Sequence, residues 1–204
     1  MEKNLITSNT TLSKRRCAWI KNDPLYIKYH DEEWGVPVYE DHKLFEFLVL
    51  ESAEAGLNWL VILKKRENYR KAYEGFDPAI VANFDNNKAM ELLRDKGIVR
   101  SKLKILSSIN NAKSFLEVQK EFGSFSKYIW GFVNNKAIIN KWLTTKDVPD
   151  DTPLSLKISN DMKGKGFKFI GPKIIYAFMQ AVGMVNDHPI YCFKHIGKYR
   201  TIKT

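Results

Sequence analysis

Long apolar runs are missing from this chain of 204 residues. No stretch approaches the ~18–20 residues that a membrane-spanning helix needs, and the longest are interrupted by Glu or Lys. No membrane span is therefore expected. Cysteine is scarce: only Cys17 and Cys192 occur, near opposite ends. Two cysteines exclude a disulfide-dense scaffold, and a single bridge between them is disfavoured in a reducing compartment. Residues 1–16, MEKNLITSNTTLSKRR, lack the apolar centre of a secretory signal. Residues 1–15 are expected to form a flexible polar tail, and the protein to work in the cytoplasm. Strand patterning is nearly absent, with VNNKAII (133–139) the one doubtful candidate, and no internal repeat is found.

What is abundant is positive charge. Lys and Arg number 33 against 23 acids, giving a net charge of +10. Such an excess favours a polyanionic partner, because each neutralised phosphate releases a condensed counterion. The remaining composition is that of an ordinary globular protein. Its length suits one domain (16–204) with a real core, or two small lobes sharing a cleft.

Helix signals recur along the chain. Asp23-Pro24 and Asp77-Pro78 each pair an N-cap with a proline at the first helical position. Asp41 is read as the cap of KLFEFLVLESAEA, which Gly56 separates from LNWLVILKKRENYRKAY. Asn86-Asn87 opens a helix stopped by Gly97, and an amphipathic helix runs from Ser101 to about Glu121. TTKDVPDDTP (144–153) is the best internal loop. The fold class is all-α.

Three constellations carry chemistry. Cys17-x12-His30 and His188-x3-Cys192 offer two thiolates and two imidazoles, a complete tetrahedral set for zinc. A filled shell leaves no open position, so such a site would be structural. Two buried free cysteines with two surface histidines are the alternative, and His195, three residues after Cys192, is a competing ligand. Second, Trp19, Tyr26, Tyr29 and Trp34 crowd a half-polar segment, which suits a cavity that stacks a flat ligand as well as it suits core. On the following helix Glu51 falls on the Leu44–Leu48–Ala55 stripe, where a carboxylate needs a partner unless it lies at the wet edge, and Trp59 comes just after. Third, GKGFKFIGP (164–172) joins two helical stretches. Gly166, Gly171, Lys165, Lys168 and Lys173, together with a helix N-terminus at Pro172, would make a phosphate seat.

KNDPLYIKYHDEEWGVPVYED, LFEFLVLESAEAGLNWLVILKKRENYR, GIVRSKLKI, KGFKFIGP and VNDHPIYC resemble the bacterial 3-methyladenine DNA glycosylase I family, over nearly the whole span from Cys17 to Cys192. The resemblance implies a helix-hairpin-helix glycosylase fold of two helical lobes, whose ends are joined by a structural zinc on Cys17, His30, His188 and Cys192. It implies Glu51 as the base-pocket acid, Trp59 beside it, and walls of Trp19, Tyr26, Tyr29 and Trp34. The family lacks the catalytic aspartate usual after the hairpin helix, so Asp187 is not given that role. The implied activity is hydrolysis of the N-glycosidic bond of 3-methyladenine in double-stranded DNA, by water and without a lyase step, in a monomer. Two positions depart from the family pattern: Glu54 replaces a glutamine and Asn58 a serine, which keeps another alkylated base open as substrate. The other alternative is a zinc-stapled helical module that binds damaged DNA without chemistry.

Overall fold

The structure is a computed structural model that describes residues 14–197, so the expected tail lies, but for its last two residues, outside the described residues. An extended segment leads into α1 (Pro24–Glu32), where Asp23 accepts from the N–H groups of Leu25 and Tyr26 and Pro24 opens the first turn. Helices α2 (Asp41–Glu54) and α3 (Trp59–Ala72) follow, joined by a turn in which Gly56 has φ +77°. A single turn α4 (Pro78–Val81), then α5 (Asn86–Arg94), α6 (Lys102–Phe122) and α7 (Phe125–Gly131) complete the middle of the chain. After an irregular stretch, α8 (Pro153–Gly164) and α9 (Pro172–Ala181) pack against one another.

Helix α2 is the axis of the core. Every residue from Leu44 to Ala53 is buried, and the helix packs against α3, α6, α7 and α9. A helix covered on all sides has no wet edge along that stretch, so the one-sided stripe read from the sequence understates its burial. Its N-cap is Glu40, which accepts from the N–H groups of His42 and Lys43. Asp41, expected to be the cap, instead accepts from the N–H groups of Phe125 and Ser126 and from Gln119, tying α2 to α7. Likewise Asp85, not the asparagines after it, caps α5. The doubtful strand is real but minimal: Ile138–Ile139 pairs in parallel with Val185–Asn186.

The two ends of the chain meet. The N–H of Phe193 donates to the carbonyl of Arg15 at 2.9 Å, that of Gly35 to Gln180 at 3.0 Å, and that of Val38 to Val182 at 3.0 Å. This approach is close enough that a Cβ on Gly183, where φ is +71°, would sit 2.4 Å from the carbonyl carbon of Val36. Only glycine fits there.

Candidate active site

The N-terminal segment, α1, the α2–α3 corner and α9 enclose a cleft of about 710 Å³. Trp19, Tyr26, Tyr29, Trp34, Glu51 and Trp59, all six residues expected from the sequence, line it. The irregular stretch before α8 contributes Val148, Pro149 and Asp150, and α9 contributes Lys173, Tyr176 and Gln180. The rings brace one another: Trp19 lies 5.0 Å from Tyr26 and 5.1 Å from Trp34, and Tyr29 lies 5.3 Å from Trp59. Such a cavity can hold a flat ring between aromatic faces.

Helix α2 carries two buried acids that contrast sharply. Glu46 is matched by cations: Arg66 Nε reaches it at 2.7 Å, Lys43 Nζ at 2.8 Å and Arg70 at 2.9 Å. Burial pushes its pKa up, but Arg66 and Lys43 more than offset this and hold it below the ordinary range. Glu51, 5 % exposed, has no side-chain hydrogen bond or ion pair among the described residues. Burial lifts its pKa well above the ordinary value, Glu54 adds to the shift, and Arg66 offsets it only in part. The indole N–H of Trp59 is also buried without a partner. A structural acid is compensated by its own protein, whereas Glu51 is left facing a cavity.

Asp187, also in the cleft wall, is saturated. Asn140 and Trp142 donate to one oxygen at 2.6 and 2.8 Å, and Tyr176 and Gln180 donate to the other at 2.7 Å each. All its acceptor capacity is spent on holding α9 to the stretch before α8 that carries Asn140 and Trp142, so it is poorly placed to activate water. Tyr176 and Gln180 escaped sequence reading, which named Asp187 only to deny it a catalytic role. The i, i+4 spacing of Tyr176 and Gln180 on α9 was the available signal, but it needs the Asp187 partner to acquire meaning.

Behind the aromatic wall, Cys17, His30, His188 and Cys192 are all buried, and their ligand atoms lie within 4.8 Å of one another. The cysteines are not bonded to each other. Cys192 Sγ stands 3.4 Å from His30 Nε2 and from His188 Nδ1, and Cys17 Sγ is 3.4 Å from the same Nδ1. Tetrahedral metal–sulfur and metal–nitrogen bonds of ordinary length place such atoms about 3.5 Å apart. The outer nitrogens are already engaged: His30 Nδ1 meets Asp31 at 2.8 Å, itself clamped by Arg16, and His188 Nε2 meets the carbonyl of Trp34 at 3.1 Å. These acceptors hold the N–H outward and turn each lone pair inward. The cluster could therefore hold a metal ion. His195 takes no part in it; its Nε2 reaches the carbonyl of Asn140 at 3.0 Å. The cluster touches the cleft directly, since His188 packs edge-on to Trp34 at 4.5 Å.

The hairpin between α8 and α9 is less open than its glycines suggest. The N–H groups of Lys165, Gly166 and Phe167 return to α8, and that of Lys168 donates to Asn111. Gly166 serves a left-handed turn at φ +90°, with its carbonyl held by Asn110. Gly171 differs: it caps α9 without a side-chain bond, and nothing lies near where a Cβ would be. Lys168 and Lys173 are exposed, the latter paired with Asp150 at 2.7 Å; Lys165 is bound to Glu121 at 2.9 Å and lines a separate hollow with Phe122 and Tyr128.

Residues 19–195 match the model of the methyladenine glycosylase family. The chain belongs to that family. It is 44 % identical over 177 residues to DNA-3-methyladenine glycosylase 1 of Escherichia coli (strain K12), covering 87 % of this chain and 95 % of the relative. A crystal structure of 3-methyladenine DNA glycosylase I superposes with a TM-score of 0.87 at 43 % identity, over 89 % of this chain and 100 % of the other. The Staphylococcus aureus 3-methyladenine DNA glycosylase I, solved to define recognition of 3-methyladenine, superposes at 0.86 with 35 % identity, over 90 % and 98 % of the two chains. Within this glycosylase family member, Glu51 has a measurable signature in the free protein. Its folded pKa lies above the ordinary 4.5, so its burial costs nothing below that pH and destabilises increasingly as pH rises toward the folded value. Glu51→Gln should therefore be more stable than the parent at neutral pH, with the gap narrowing as pH falls and closed below about 4.5. Urea unfolding across pH 3.5–8 measures this, and a pH-independent or reversed gap would contradict it.

Proposed function

We propose that this chain removes 3-methyladenine from alkylated double-stranded DNA by hydrolysing its N-glycosidic bond. The carrying observation is the buried, unpartnered Glu51 carboxyl facing an aromatic cleft. Methylation at N3 gives the adenine a positive charge. Flipped out of the stack into the cleft, this cationic ring is the partner that Glu51 lacks. The rings of Trp19, Tyr26, Tyr29, Trp34 and Trp59 supply cation–π attraction of about 2 kcal/mol or more in a desolvated site, and the Glu51 carboxylate accepts from the exocyclic amine. When the C1′–N9 bond breaks, its electron pair neutralises the base. Water adds to C1′ and loses a proton to solvent. Among the described residues the one amine lining the cleft, that of Lys173, is paired with Asp150 at 2.7 Å, in keeping with hydrolysis and no lyase step.

The rest of the molecule supports this reading. α8, residues 165–171 and α9 act as a helix-hairpin-helix, with the phosphate at the uncapped start of α9 by Gly171 and with Lys168 and Lys173 nearby. Lys165 and Gly166 shape the hairpin more than they touch DNA. The cluster of Cys17, His30, His188 and Cys192 holds one structural zinc, which fastens the Trp19 end of the wall to the C-terminal segment. The enzyme works as a cytoplasmic monomer, with its cleft between two lobes of one domain. A module that only binds damaged DNA would gain nothing from an uncompensated buried acid.

Two measurements test the reading. Single-turnover excision from methylated DNA should fall about 10²-fold in Glu51→Gln, while affinity for undamaged DNA stays at the parental value; excision at the parental rate would place Glu51 outside the reaction. Metal analysis of freshly purified protein should give one zinc per chain, lost together with fold stability in Cys192→Ser. Zinc-free protein with parental stability would contradict the structural zinc.

A further inference from the structure

Four carboxylates line the cleft: Glu51, Glu54, Asp150 and Asp187. Asp187 is satisfied by four hydrogen-bond donors, and Asp150 pairs with Lys173 at 2.7 Å. Glu54 has neither kind of partner. It lies one turn after Glu51 in the last turn of α2, a spacing that brings side chains together on one face. It is half-buried and has no side-chain hydrogen bond or ion pair among the described residues. Lys104 offsets its burial only in part, since the Lys104 Nζ is hydrogen-bonded elsewhere, capping the end of α2 by donating to the carbonyls of Ala53 and Ala55 at 2.8 and 2.6 Å. A carboxylate at a helix C-terminus is also disfavoured by the helix dipole. The structure thus keeps an uncompensated acid at a place where helix, burial and neighbouring charge all oppose it. Beside it in the same wall stands Glu51, 5 % exposed and likewise without a hydrogen bond or ion pair among the described residues.

We infer that Glu54 is a specificity-determining residue, a second cleft carboxylate that sharpens selection of cationic over neutral purines. The inference rests on the proposed base cleft and goes beyond it, since Glu51 alone would suffice to bind the base. Glu54 acts through charge at short range. Removing it should weaken binding of a cationic purine and leave that of a neutral purine unaffected. For a half-exposed carboxylate one helical turn from the binding acid, screened Coulomb attraction corresponds to about tenfold in affinity.

The test is quenching of tryptophan fluorescence in the full-length protein by two probes: 3,9-dimethyladeninium, a permanent cation, and neutral 9-methyladenine. The parent should prefer the cation. Glu54→Gln should lose about tenfold of that preference, through weaker cation binding alone, and Glu54→Asp, which keeps the charge, should restore most of it. A parent without preference for the cation would overturn the base cleft itself, and the inference with it. A parent that prefers the cation while Glu54→Gln prefers it equally, or loses both probes alike, would overturn only the role of Glu54.

Discussion

The meeting of the chain's two ends is the constraint on which the site depends. The aromatic wall belongs to the N-terminal segment and α1, but nothing in those residues alone would keep them against α9. Four side chains distant in sequence converge behind that wall, and backbone bonds from Gly35, Val38 and Phe193 sew the same seam. Bringing residues so far apart together closes a very long loop, an entropic cost that these contacts must offset on folding. The close approach of Val36 to Gly183 leaves no room for the seam to shift. Trp19 and Trp34 therefore stand where Glu51 needs them.

A second constraint is the treatment of charge inside α2. Glu46 and Glu51 sit on one buried helix, yet the protein surrounds the first with Arg66, Lys43 and Arg70 and gives the second no hydrogen bond or ion pair among the described residues. The paired acid joins α2 to α3 and, through Arg66 and Glu33, to α1. The unpaired one costs stability that folding alone would not select. Uncompensated burial is what separates the two roles, since burial by itself marks both.

Much of this was legible in the sequence, for local reasons. Asp23-Pro24 and Asp77-Pro78 carry their helix starts within a few residues, and the two cysteine–histidine spacings carry the cluster. The pocket residues were readable because the segments bearing them resemble a known family; periodicity alone placed Glu51 on a stripe that turned out to be a fully buried helix. What escaped depends on distant partners. Asp41 looks like a cap until α7 is brought beside it. Asp187 has no assignable role until Asn140, Trp142, Tyr176 and Gln180 surround it. Gly166 reads as a site of close approach until Asn110 and Asn111 engage the hairpin. The strand at Ile138–Ile139 showed only as a doubtful candidate, and its partner Val185–Asn186 not at all, because a two-residue pairing is too short for alternation to show.

The central claim is that a cavity of rings and uncompensated acid selects a base for its positive charge and releases it from DNA. The most direct measurement is chromatography of the bases liberated when the purified protein acts on DNA treated with a methylating agent, beside untreated DNA. The account predicts release of 3-methyladenine from the treated DNA and no free adenine from either. Release of unmodified bases, or of none at all, would contradict it.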